Sequence, residues 1–216
     1  MENINKTKNR WWWIRHAPVV NPGKKLYGQS DLDVDLSNNR RFESLAAALP
    51  KNAAWITTPL RRARETAKCL AKLTEYKGTI EEYDQLKEQD FGDWEGKTWG
   101  DVPIKDSETF WNNPVENCIP NGESFKDVMS RVGHLVEQLN RRHNGRDIIA
   151  VAHMGTIRAA ITQALGGYGQ GGLTFQLEPL SLTRIDANHE NDFLWWKILG
   201  VNLFGSTDYP PPASTK

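Results

Sequence analysis

Two short apolar runs without polar alternation constrain this chain most, Trp11-Trp12-Trp13-Ile14 and, far downstream, Ile148-Ile149-Ala150-Val151-Ala152. Runs of this kind read as strands buried on both faces, the environment of a central strand in a sheet covered by helices. Such strands deliver their next residues to the open carboxyl edge, where ligands bind. The first run is followed by Arg15-His16 and the second by His153, so a guanidinium and two imidazoles are expected at one edge. Alone, Arg15-His16 fits a core histidine beside a surface arginine equally well. The second histidine changes the balance.

The chain has 216 residues, which suits one domain spanning 1–216 with a sizeable core. Residues 1–9 are polar and residues 206–216 are rich in Pro, Ser and Thr, so both ends read as loose tails. Between them, β-like runs at 11–14, 53–57, 79–83, 147–152, 181–186 and 193–199 alternate with helical patterns, which indicates an α/β sandwich. One helix is expected from an N-cap at Ser37 to Leu49, and another from an N-cap at Thr58, with Pro59 in its first turn, to about Leu73. After Gly122, the residues Phe125, Val128, Met129, Val132, Leu135, Val136 and Leu139 recur at helical spacing. A last helix is expected from near Thr156 to Gly166-Gly167. The stretch 166–172 (GGYGQGG) lacks the Lys-Ser/Thr ending of a phosphate-binding loop and reads as a flexible loop.

Charge excludes some partners. Basic and acidic residues balance at 27 each, so nothing global favours nucleic acid or an anionic membrane. No apolar stretch approaches the ~20 residues of a membrane helix. The two cysteines, Cys69 and Cys118, lie far apart with no signal-peptide pattern, so a reduced, cytoplasmic protein with thiols of no special role is expected. Of the nine tryptophans, Trp12, Trp195 and Trp196 fall in strand-like runs and are candidates either for the core or for the surface of a homodimer.

The segment 57–67 (TTPLRRARETA) adds further cations. At about 100° per residue, Leu60, Ala63, Thr66, Ala67 and Leu70 share an inward face, while Arg61, Glu65, Lys68 and Lys72 form a solvated stripe. Arg62 falls on the inward flank, where a charge is costly unless paired, and its side chain leans back toward the amide-rich helix start. That end attracts anions, so phosphate is a sensible occupant. An alcohol leaving phosphorus needs a proton donor, and the stretch 86–96 (LKEQDFGDWEG) offers Glu88, Asp90, Asp93 and Glu95. Periodicity does not choose among them.

The order of RHAP at 15–18, TPLRRARETA at 58–67, EQDFGDWEG at 88–96, NGESF at 121–125 and VAHMGTIRAA at 151–160 resembles the histidine phosphatase superfamily. The resemblance covers about residues 11–200 and implies a three-layer α/β/α sandwich with a mostly parallel central sheet. It implies that His16 is the nucleophile, that Arg15, Arg62 and His153 hold phosphate, and that Glu88 is the proton donor, with no cofactor and no metal. A small phosphorylated substrate follows, hydrolysed in two steps through a phosphohistidine. Asn21 is a further candidate for phosphate contact, although its spacing from His16 is one residue short of the family pattern.

The chain departs from the family's Arg-His-Gly-Glu at Ala17-Pro18, where proline removes a backbone N–H donor. Met154 intervenes before Gly155 where the family often has glycine directly. The Ala-Pro pair looks most like the alpha-ribazole phosphatase and broad-specificity branches. Two alternatives stand beside the phosphatase: a cofactor-dependent phosphoglycerate mutase, against which the short span from Glu88 to His153 speaks, and a non-catalytic phospho-ligand binder. The aromatic stretch 99–123, with Phe110 and Trp111, is expected to form part of a rim or lid, its rings either packing an irregular segment or stacking on a substrate ring.

Overall fold

A computed structural model describes residues 6–21, 23–167, 169–191 and 193–205. The strands are β1 Lys6–Arg15, β2 Ala53–Thr57, β3 Ile80–Glu82, β4 Asp147–Ala152, β5 Leu182–Glu190 and β6 Phe193–Leu203. They form one sheet in the order β3-β2-β4-β1-β5-β6. The first four of these are mutually parallel, whereas β5 runs antiparallel to β1 and β6 antiparallel to β5. The sheet is therefore mixed. Only residues 191 and 192 separate β5 from β6, far too few for the crossover that a parallel pair requires.

The helices are α1 Asn39–Ala48, α2 Arg61–Leu73, α3 Ile104–Asn112, α4 Phe125–Arg142, α5 Met154–Ala164 and α6 Gly169–Leu173. Strand alternation on β1 divides its tryptophans between two cores. Trp11 and Trp13 stack at 4.8 Å in the cluster that includes Val128, Val132 and Leu135 of α4 and Ile157 and Ile161 of α5. Trp12 and Ile14 enter the opposite cluster with Phe42 and Leu45 of α1 and Ala63, Ala67 and Leu70 of α2. Helices thus cover both faces, the α/β/α sandwich that the family resemblance implies.

Several local expectations change. Residues 6–9 are not a tail but the start of β1, paired with β5, and buried Asn9 donates to the His143 carbonyl at 2.6 Å. The second expected tail, 206–216, lies outside the described residues. Asn38 rather than Ser37 caps α1, its side chain accepting from Arg41 N, while Ser37 N is held by Asp35. The second helix starts at Arg61 instead of Pro59, with Leu60 extended at its N-cap. Thr58 remains in the approach to α2, and its hydroxyl meets His153 as well as Leu60 N. α5 starts at Met154, two residues earlier than expected, because His153 is already the extended N-cap.

The glycine-rich stretch is not a free loop, since 169–173 form α6. Buried Gly172 lies so close to α5 that an added Cβ would collide with the Thr162 hydroxyl and the Arg158 carbonyl. Trp12 cannot serve a dimer surface, being fully buried with its indole N–H on Asp147 at 2.9 Å. Trp196 packs against the α4/α5 core and Lys197 lies over Trp195. In the stretch 99–123, Phe110 joins Leu26, Trp94, Val102 and Ile119 in a small separate core, while Trp99 and Trp111 stay exposed beside each other. Among the described residues, no helix is long and apolar enough to cross a membrane.

Gly172→Ala tests the packing of α6 on α5. We expect a loss of about 1–3 kcal/mol in urea denaturation, typical of overpacking. An unchanged midpoint would return the segment to a loosely held loop.

Candidate active site

Arg15 pairs with Ala152 in the parallel register of β1 on β4, so the next residue of each strand leaves the sheet at the same place. These residues are His16 and His153, whose ring centroids lie 5.1 Å apart. The His16 N–H donates to the Ala152 carbonyl at 2.9 Å, extending the ladder by one rung into the site. Both imidazoles are buried.

Hydrogen bonds set the tautomers. His16 Nδ1 lies 2.6 Å from the Ala17 carbonyl, which can only accept, so Nδ1 carries the proton and Nε2 keeps its lone pair. His153 Nδ1 accepts from Arg62 Nε at 3.2 Å, which leaves the proton on Nε2, facing Thr58 Oγ1 at 3.1 Å. Burial and then the charge of Arg62 hold both rings well below the ordinary histidine range, with Arg15 adding to the effect on His16. Both rings are neutral at neutral pH.

Arg62 occupies the inward flank of α2 and is fully buried. Among the described residues no carboxylate pairs with it directly. Its Nη1 donates to the Ser30 carbonyl at 2.8 Å, its Nη2 to the Gly28 carbonyl at 2.5 Å, and the Tyr27 ring lies 4.9 Å from its guanidinium carbon. Each terminal nitrogen keeps one N–H without a partner among the described residues, and those donors can take phosphoryl oxygens. Arg15 is anchored through Nη1 on the Leu177 carbonyl at 2.5 Å, and its buried Nε has no partner among the described residues.

Glu88 completes the cluster. Its Oε1 accepts from Gly155 N at 2.9 Å, in the first turn of α5, and from Gln89 N at 3.1 Å. A Cβ at position 155 would strike that oxygen, which accounts for glycine after Met154. Oε2 has no hydrogen-bond partner among the described residues. Of the other acids in this stretch, Asp90 accepts from Gly92 N, closing a local turn, and Asp93 accepts from the Asn121 side-chain amide, tying this stretch to a distant segment.

Asn21 is not brought to the cluster. Its amide is spent on the Lys25 backbone, accepting at 3.1 Å and donating at 2.7 Å, because it closes the turn 21–25. The loss of an N–H at Pro18 is not compensated at Ala17, whose N–H donates to Thr66 Oγ1. The two residues after His16 therefore offer the pocket no free backbone N–H.

Two arginines escaped sequence reasoning. Arg131 on α4 donates to the carbonyls of Gln85, Lys87 and Glu88 and pairs with Glu123 at 2.8 Å, bracing the segment that carries the acid. Its place on the flank of an inward face, beside Val128 and Val132, is the signal that singled out Arg62. Arg158, one turn beyond Gly155, donates from Nε to the Phe175 carbonyl at 2.8 Å and has Glu88 and Arg15 as charged neighbours.

Residues 11–199, which hold Arg15, His16, Arg62, Glu88 and His153, match the family description "Histidine phosphatase superfamily (branch 1)". The chain is 30% identical over 162 residues to the metal-independent phosphoserine phosphatase of Arabidopsis thaliana, covering 70% of this chain and 68% of that protein. It is 27% identical over 202 residues to the adenosylcobalamin/alpha-ribazole phosphatase of Escherichia coli, covering 91% and 98%. In fold it is similar to mycobacterial glucosyl-3-phosphoglycerate phosphatase, with a TM-score of 0.77 at 23% identity over 91% of this chain and 99% of that one. This chain belongs to branch 1 of the histidine phosphatase superfamily and is a phosphatase.

Proposed function

We propose that the protein hydrolyses a small phosphomonoester through a phosphohistidine on His16. The observation that carries this reading is the buried His16, its Nδ1 held on the Ala17 carbonyl so that Nε2 keeps its lone pair, together with Arg62, whose spare N–H groups have no acceptor among the described residues. In the first step the Nε2 lone pair attacks phosphorus, the ester P–O bond breaks, and Glu88 gives its proton to the leaving alkoxide. Arg15 and Arg62 stabilise the equatorial oxygens with charge already in place, and His153 does so through its Nε2–H, shared between Thr58 and a phosphoryl oxygen. In the second step Glu88 takes a proton from water, water attacks phosphorus, and the P–N bond breaks to release inorganic phosphate. Positive charge comes from guanidinium groups, so the scheme draws on no metal or cofactor.

For substrate we propose α-ribazole phosphate first, supported by the near full-length likeness to the E. coli enzyme. A panel of α-ribazole phosphate, phosphoserine and 3-phosphoglycerate, assayed with and without 2,3-bisphosphoglycerate, tests it. Preferred hydrolysis of the first is expected; bisphosphoglycerate-dependent isomerisation would make the protein a mutase.

His16→Ala is expected to abolish turnover and protein labelling, while the wild type trapped during turnover carries acid-labile, base-stable phosphate. Acid-stable label would exclude His16 as the acceptor. Glu88→Gln should lower kcat on alkyl phosphates about 10²–10⁴-fold. For p-nitrophenyl phosphate, whose leaving group needs no proton, the loss in kcat/KM, which reports only the first step, should be much smaller than for alkyl phosphates.

The depressed histidines also set a pH dependence. The unfolded chain binds protons at His16 and His153 near pH 6.5, whereas the folded chain does so only well below. Their contribution to stability is thus fully present above about 6.5 and is lost as pH falls toward the folded values. Urea midpoints measured between about pH 7.5 and 5 should fall, and His16→Asn should flatten the fall. The acid limb of kcat/KM should lie below about 6.5, and a limb above it would contradict a neutral nucleophile.

A further inference from the structure

Glu95 touches neither histidine, yet its carboxylate gathers the loop that holds Arg62. Its Oε1 accepts from Gln29 N at 2.6 Å and from Phe91 N at 3.4 Å. Its Oε2 accepts from Ser30 N at 2.9 Å and from the Ser30 hydroxyl. The residues it gathers are the ones whose carbonyls fasten the guanidinium, since Ser30 and Gly28 accept from the two terminal nitrogens of Arg62. Gly28 has φ +31° and packs so closely on Glu95, Phe91 N and the Gln89 carbonyl that no side chain fits there. The same loop reaches the acid, because Gln29 Nε2 donates to the Glu88 carbonyl at 3.1 Å. Leu26 adds two backbone bonds to Gly96 and Lys97.

Carbonyl oxygens attract a guanidinium without neutralising it. Placing a carboxylate one layer behind them orients the carbonyls while leaving the guanidinium's charge and spare donors for an anion. A carboxylate in direct contact with Arg62 would compete with phosphate for those donors. We propose that Glu95 is a positioning residue, one that sets the phosphate-holding geometry of Arg62 through residues 28–30 and ties it to the segment carrying Glu88. This rests on the reading of Arg62 as a phosphoryl-binding residue.

Glu95→Gln keeps the shape but turns an amide donor toward one of the two donor pairs. On p-nitrophenyl phosphate it should lower kcat/KM on the order of tenfold or more, the size of coupling expected within one hydrogen-bond network. The discriminating measurement is the double-mutant cycle with Arg62→Lys, whose single ammonium cannot span both carbonyls. In that background Glu95→Gln should cost less than about threefold. Additive losses, or no loss from Glu95→Gln with Arg62 present, would overturn the positioning role while leaving the phosphatase site intact. Wild-type activity in Arg62→Lys alone would instead overturn the reading of Arg62. Should Glu95→Gln not fold, Ser30→Ala takes its place, removing one donor to the carboxylate. It should lower kcat/KM with Arg62 and not with Lys at position 62, and unchanged activity with Arg62 would overturn the proposal.

Discussion

The parallel pairing of β1 with β4 is the constraint on which the site depends. Because the register sets Arg15 against Ala152, both strands end together and release His16 and His153 side by side. A slip of one residue would exchange the two faces of β1, sending Trp12 into the core built for Trp11 and Trp13. The tryptophan run therefore does more than fill volume. Its alternate rings match two differently shaped helical layers, and that match holds the histidines in register.

Burying two imidazoles beside two guanidinium groups produces an unbalanced site. Burial and the nearby positive charges keep His16 and His153 neutral, and Arg62 stays buried with carbonyl, imidazole and aromatic neighbours and, among the described residues, no direct carboxylate. Desolvated positive charge of this kind costs stability unless it is hydrogen-bonded, and an anion relieves it further. The same charge that raises the cost of the empty pocket stabilises negative oxygens on phosphorus. Affinity for phosphate and a neutral nucleophile thus have one physical origin.

The acid side is built differently. Glu88 lies on irregular chain, held by the N-terminal turn of α5 and braced from behind by Arg131 and the Thr156 hydroxyl, which bonds the Leu86 and Lys87 carbonyls. Most of these contacts are to backbone, so the position of the segment depends on carbonyls and N–H groups rather than on matched side chains. That is why four neighbouring acids look equivalent in sequence and have separate tasks in space: Glu88 meets Gly155 N of α5, Asp90 closes a turn, Asp93 holds Asn121, and Glu95 gathers the 28–30 loop.

The sequence by itself determined the strands at 53–57 and 147–152, the inward face of α4, the inward flank that holds Arg62, and two histidines at one sheet edge. These follow from periodicity and from the cost of burying charge, which are local rules. Family likeness, not spacing, singled out Glu88. Only the tertiary structure decided that residues 6–9 join the sheet, that the glycines at 169–172 form a packed helix, that Thr58 serves His153 as well as the start of α2, and that Asn21 closes its own turn. Each of these depends on which distant backbone or side-chain group arrives within hydrogen-bond reach, a question of register and layer packing that no local pattern encodes.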